Sequence, residues 1–253
     1  MDPAVAISFT GTILLELGFP LLVAWFLIRR YHLSWTLFLY GALFFILVQI
    51  VHTPLVLFTQ APLSEALNAA IPNRTFALAV FAVILGLLAG LFEEIGRYLV
   101  FSRFFPSRNI ATSREHGLLF GAGWGGVESM MIAGLLSLTL VAYLFSASPV
   151  LASLTPLDPL VSLLERLMVF TLQIAFTLLV LLSVAQARPL LLGLAILWHT
   201  GVDALAVFLG VTSGIAVTEA MVAVNATLAL IYLWYQRPER HREDEHQPQS
   251  AIR

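Results

Sequence analysis

"VFAVILGLLAGLFEEIGRYLV", residues 80–100, sets the architecture of this chain. Residues 80–92 are apolar or glycine without interruption, and then Glu93, Glu94 and Arg97 follow with no turn signal between. With its flanks the stretch is long enough to cross a hydrocarbon core, which takes about 20 apolar residues as a helix. An ionised group near the centre of such a helix costs about 2.5–3.5 kcal/mol even on the lenient insertion scale. Three charges here therefore require partners within the membrane.

The rest of the chain agrees with a membrane setting. It has 253 residues, 59% hydrophobic and 11% charged, with a mean hydropathy of +0.91. Soluble domains carry about a quarter charged residues, so the composition reads as an integral membrane protein of the cell membrane. All 13 basic residues are arginine, a matter of composition rather than mechanism. No cysteine is present, which excludes disulfides, thiolate metal sites and cysteine nucleophiles. A net charge of -2 gives no basis for a nucleic-acid partner. The opening "MDPAVAISF" lacks a basic n-region and reads as part of a first spanning helix, not a cleaved signal.

Apolar runs of spanning length fall near 4–28, 34–58, 75–101, 116–146, 160–186, 189–210 and 213–235, which predicts an all-α bundle of seven helices. The links include a polar loop over 59–74, an Arg-bearing loop over 102–115 and a Pro-containing loop over 147–159. Residues 1–235 read as one transmembrane domain with its motif-bearing core at 75–210. The charge-dense 236–253 reads as a disordered cytoplasmic tail. If the helices alternate, Arg29, Arg30, Arg103, Arg108, Arg114, Arg188, Arg237, Arg240 and Arg242 share one side, and Arg74 alone lies in a loop on the other. Basic residues favour the cytoplasmic side, so the N-terminus is expected outside and the C-terminus inside. Tyr31, Trp35, Tyr232, Trp234 and Tyr235 then fall at the inner interface.

Gly86 and Gly90 form GxxxG in the third helix, and Gly121 and Gly125 do so in the fourth. Small residues at that spacing admit close backbone approach, which predicts tight packing of these two helices on each other. No internal repeat is visible, which counts against a transporter built from inverted repeats.

The polar groups inside the spans concentrate in the middle four helices. They are Glu93, Glu94 and Arg97; Glu128; Glu165, Arg166 and Gln173; and His199 with Asp203. A rise of about 1.5 Å per residue puts Glu94 roughly 11 Å from the cytoplasmic end, His199 about 15 Å, and Glu128, Gln173 and Asp203 around 20 Å. His199 and Asp203 share a helix face, as do Glu93 and Arg97. Glu94 projects about 100° from Glu93, so one glutamate pairs with Arg97 while Glu94 faces a cavity. Each group also has a plainer reading. Glu93–Arg97 reads as a structural ion pair, Glu165–Arg166 as interfacial, His199 as a packing residue, and Glu16, His52 and Glu219 as local. Convergence at similar depth favours a shared cavity, and carboxylates with histidine in such a cavity suit a metal-activated water or a proton relay.

Taken in order, "FEEIGRY" (92–98), "HGLLFGAGWGGVES" (116–129), "ERLMVFTLQIAFTLLV" (165–180) and "WHTGVD" (198–203) resemble the YhfC family of intramembrane metalloproteases. That family is related to the type II CAAX prenyl proteases and PrsW. The resemblance implies a metal-dependent endopeptidase that acts on a membrane-associated peptide or protein substrate. It implies Glu94 (or Glu93) as the group activating water and Arg97 as the residue orienting the glutamates or stabilising charge. A divalent metal, zinc first, would be held by Glu128, His199 and Asp203, with Gln173 at a ligand position. Two positions depart from the family pattern: Trp124 and Gln173 each stand where histidine is usual, and an amide oxygen is a poor zinc ligand. The rival readings are a non-proteolytic scaffold or binding protein, for which the superfamily offers a gamma-secretase subunit as precedent, and a small transporter or proton relay.

Overall fold

The computed structural model describes residues 2–145 and 148–236. Among these residues every regular element is helical and no strand occurs. The elements are α1 (Pro3–Tyr31), α2 (Trp35–Ala70), α3 (Arg74–Leu99), a π-helical turn (Val100–Phe104), α4 (Phe105–Ser107), α5 (Arg114–Phe145), α6 (Pro149–Ala152), α7 (Leu157–Ala185), α8 (Pro189–Thr212) and α9 (Ile215–Tyr235). Seven of them, with α3 continued through the π turn to Ser107, are long and apolar enough to cross a membrane. The protein is thus a multi-pass helical membrane protein. The expected tail over 236–253 lies, but for Gln236, outside the described residues.

Local chemistry fixes the helix starts. The side chains of Asp2, Ser34 and Asn73 accept from the backbone N–H groups of Ala4, Thr36 and Phe76, at 2.8, 3.2 and 3.0 Å, and so satisfy donors that a helix start leaves open. α1 ends where His32 takes a left-handed conformation (φ 54°). The expected 59–74 loop is mostly absent, because α2 runs on to Ala70. Hydropathy falls across Gln60–Asn68, but Ala61, Leu63, Ala66 and Leu67 are strong helix formers. Pro54 and Pro62 are accommodated within α2, as prolines often are in membrane helices. At 36 residues α2 is roughly 54 Å long, well beyond a hydrocarbon core of about 30 Å. The expected 102–115 loop likewise shrinks, because helical structure continues to Ser107.

α7 is the central helix. Two-thirds (67%) of its apolar window is buried, against 28% or less in every other span. Apolar side chains elsewhere point outward, such as Leu14, Phe58 and Leu197, as lipid contact requires. The glycine pairs do not join α3 to α5 as expected; each seats a different neighbour. A Cβ on Gly86 would lie 2.6 Å from the carbonyl oxygen of Thr200, and one on Gly90 2.7 Å from the Thr200 hydroxyl, so this pair seats α8. A Cβ on Gly121 would lie 3.0 Å from Thr177, and one on Gly125 2.9 Å from Gln173, so this pair seats α7. α3 packs most extensively against α8, and α5 against α1, α2 and α7. GxxxG marks a close approach without naming the partner, which is set by the whole bundle.

Candidate functional site

The two close pairings, α3 on α8 and α5 on α7, bring the polar residues of four helices together. Arg97 is wholly buried at the hub. Its guanidinium donates to Glu93 at 3.2 Å, to Glu94 and to the side-chain oxygen of Gln173. The guanidinium carbon lies 4.3 Å from the ring centroid of Trp124, and the Trp124 Nε1–H donates to Glu93 Oε2 at 3.0 Å. Trp124 is therefore a donor to the same carboxylate and a platform for the same cation. Each α3 carboxylate sits about one turn before Arg97; the spacing predicted the Glu93 pair, and the structure adds the Glu94 pair.

Gln173 joins this hub to a second one. Its amide nitrogen donates to Glu128 Oε2 at 2.7 Å and to Glu93 Oε2 at 3.3 Å. Glu128 Oε1 in turn accepts from Arg166 at 3.0 Å, and Arg166 also donates to Glu165. The third branch is on α8. His199 Nδ1 lies 2.6 Å from Glu94 Oε1, its ring stacks on Phe176 with centroids 4.8 Å apart, and its Nε2 faces Asp203 Oδ2 at 3.5 Å. All seven residues singled out from the sequence, Glu93, Glu94, Arg97, Glu128, Gln173, His199 and Asp203, thus fall in one continuous polar network.

Beside the network lies a cavity of about 130 Å³ whose lining includes Glu93, Glu128, Glu165, Arg166, Gln173, His199 and Asp203. The placement of the adjacent glutamates is the reverse of that expected. Glu93 lines the cavity, whereas Glu94 is fully buried behind it, with Oε1 shared by Arg97 and His199 and Oε2 without a partner. The 100° step put the two carboxylates on different faces; packing chose which face met the cavity.

The sequence reading missed two contributors. Gln49 on α2 donates to Glu93 Oε1 at 3.1 Å, and His52, read as local, stands behind Gln49 with Nδ1 3.1 Å from Oε1. Gln49 carries no charge and lies on a helix outside the four motif-bearing ones, so the concentration of charged groups did not point to it. Glu16, on α1, is buried and accepts from Ser162 at 2.9 Å.

The ligand set expected for a metal does not assemble. No group of three His, Asp or Glu side chains among the described residues is placed to hold an ion. Glu128 has one oxygen on Arg166 and the other on Gln173, and Gln173 spends both ends of its amide on Glu128, Glu93 and Arg97. What remains is the pair His199 Nε2 and Asp203 Oδ2, short of the three protein ligands of a catalytic zinc site. The electrostatics point the other way. Five carboxylates, Glu93, Glu94, Glu128, Glu165 and Asp203, meet only two guanidiniums, Arg97 and Arg166. Glu165 and Asp203 are part-exposed and His199 stands between Glu94 and Asp203, so the site carries a local excess of acidic groups of the sign that attracts a cation. The residues fit a cation in charge but not in ligand geometry.

No solved structure matches the chain. Its sequence is 31% identical to the uncharacterized membrane protein YhfC of Bacillus subtilis (strain 168), over 92% of this chain and 95% of that one. The YhfC intramembrane metalloprotease family profile matches residues 12–226, from α1 well into α9. With the motif helices, their shared cavity and both matches in agreement, the chain belongs to the YhfC intramembrane metalloprotease family.

Proposed function

We propose that the chain is an intramembrane endopeptidase that hydrolyses a peptide bond of a membrane protein in or near the bilayer. The observation that carries this reading is the placement of Glu93. Its carboxylate lines a small polar cavity while Gln49, Trp124, Arg97 and Gln173 hold it from the protein side. A carboxylate so fixed takes a proton from a water in the cavity and returns it to the leaving amine. Arg97 orients both glutamates, Glu94 orients His199 through Nδ1, and Arg166, the guanidinium lining the cavity, faces charge developing on the carbonyl oxygen. A divalent ion, zinc first, enters through the family and the carboxylate excess. It would supply Lewis acidity, with His199 and Asp203 as the pair presented to it. The steps assigned to the protein's own residues do not depend on it.

A second reading has an observation of its own. Gln173 locks the two arginine hubs together where the family usually has histidine, which suits a non-proteolytic scaffold or binding protein. Amine-labelling of new N-termini in membranes from cells expressing wild type, Glu93→Gln or Glu94→Gln separates the two. The endopeptidase reading expects a set of termini present with wild type and absent with Glu93→Gln at equal expression. Identical termini in wild type and Glu93→Gln would put the scaffold reading first.

A further inference from the structure

We infer that Gln49 of α2 is a positioning residue for Glu93, held in its working orientation by Thr53 and His52. The inference rests on the endopeptidase reading above and adds a fifth helix to the site, one that carries none of the motifs.

Hydrogen-bond polarity sets the arrangement. An ionised Glu93 Oε1 only accepts, so the group 3.1 Å away must be the Gln49 amide nitrogen. The Gln49 oxygen then points to α2 itself, where the Thr53 hydroxyl donates to it at 2.9 Å and His52 Nδ1 lies 3.1 Å from it. Because that oxygen also only accepts, His52 must carry its proton on Nδ1. Its Nε2 is left as a lone pair, buried and without a partner. His52 is itself braced, its ring centroid 5.4 Å from that of Phe92, the residue next to Glu93. Carboxylate, amide, hydroxyl and imidazole thus form one polarised series with a single consistent set of proton positions.

The consequence is a division of labour between the two oxygens of Glu93. Oε2 accepts from Arg97, Trp124 and Gln173, all on the bundle side. Oε1 has Gln49 as its side-chain donor among the described residues. Without Gln49, Oε1 loses that donor and the carboxylate plane tilts about the Oε2 contacts. Only its Oε2 anchor then remains. The amide contributes no proton to the reaction; it sets where the reacting oxygen stands.

The test uses the full chain in lipid, with 15N-labelled histidine and the termini assay above. Solid-state 15N spectra report ring tautomers directly, and the His52 resonances are identified by their loss in His52→Phe. Wild type should show the Nδ1-protonated tautomer at residue 52. Gln49→Leu should release that tautomer and lower the rate at which those termini appear, at equal expression, roughly 100-fold, the scale set by a misplacement of about 1 Å. Thr53→Val, nearly isosteric, should give a smaller loss in the same direction and serves if Gln49→Leu does not fold. An Nε2-protonated His52 in wild type, or termini that appear in Gln49→Leu at the wild-type rate, overturns the inference. If wild type and Glu93→Gln yield the same termini, the endopeptidase reading fails and the positioning role falls with it. The His52 spectrum then still shows whether the hydrogen-bond series itself is right.

Discussion

Replacing Arg97 by leucine removes the positive centre of the network and leaves its partners in place. Arg97 and Glu94 are wholly buried and Glu93 is 6% exposed, so Glu94 gains no water when the guanidinium goes and Glu93 has only the small cavity beside it. Breaking a buried pair by removing one partner costs about 3–5 kcal/mol. The orphaned Gln173 oxygen adds to this, since a buried unsatisfied acceptor costs about 1–3 kcal/mol. For a chain of this size 1 kcal/mol corresponds to about 2–4 °C in Tm, so 3–5 kcal/mol becomes a fall of about 6–20 °C. Thermal unfolding of detergent-purified protein, followed by circular dichroism, measures it. The charge argument makes a stronger demand of the triple variant Arg97→Leu, Glu93→Gln, Glu94→Gln, which has no buried charge left at the hub. It should recover most of the loss, because neighbouring sites of one network are strongly non-additive. A single variant within about 2 °C of wild type, worth under about 1 kcal/mol, would refute Arg97 as the counter-charge. So would a triple variant no more stable than the single one.

Topology follows from the one-sided arginines: reporters fused after residue 110 should read cytoplasmic and those after residue 152 external, and the opposite pattern overturns the orientation. Gly41 and Gly123 mark the contact of α2 and α5, where an added Cβ would lie 2.0 Å from the carbonyl oxygen of Phe120 or Phe38. Alanine at either should therefore destabilise by about 1–3 kcal/mol or more. Gly18→Ala, with nothing within 4 Å of its Cβ, should not, and equal melting of all three would refute the packing account. Zinc bound to purified protein should be below one ion per chain, because His199 and Asp203 alone are presented together; a full equivalent retained in His199→Ala, measured by elemental analysis, would sink that assignment.

The spans were legible because about 20 consecutive apolar residues leave few alternatives. The end of α2 was not, because hydropathy measures membrane burial and Gln60, Ser64 and Glu65 stop being apolar without ceasing to be helical. Glu93, Glu94, Glu128 and Asp203 were found because charge in hydrocarbon is conspicuous. Trp124, Gln49 and His52 carry no fixed charge, and their part depends on which helix stands opposite. The glycine pairs failed in the same way: spacing showed that α3 and α5 approach something closely, and only the bundle makes it α8 for one and α7 for the other.

The placement of both Arg97 carboxylates on its own helix, three and four residues upstream, bears on how the protein is made. Gln173 follows Arg97 by 76 residues and His199 follows Glu94 by 105. At a synthesis rate of about 5–20 residues per second, His199 emerges roughly 5–20 s after Glu94. At the start of that interval none of the downstream helices that later receive these charges has been made. An arginine and two glutamates within two turns let the segment enter lipid carrying its own counter-ion. The later helices then complete a site already assembled in miniature at the ribosome.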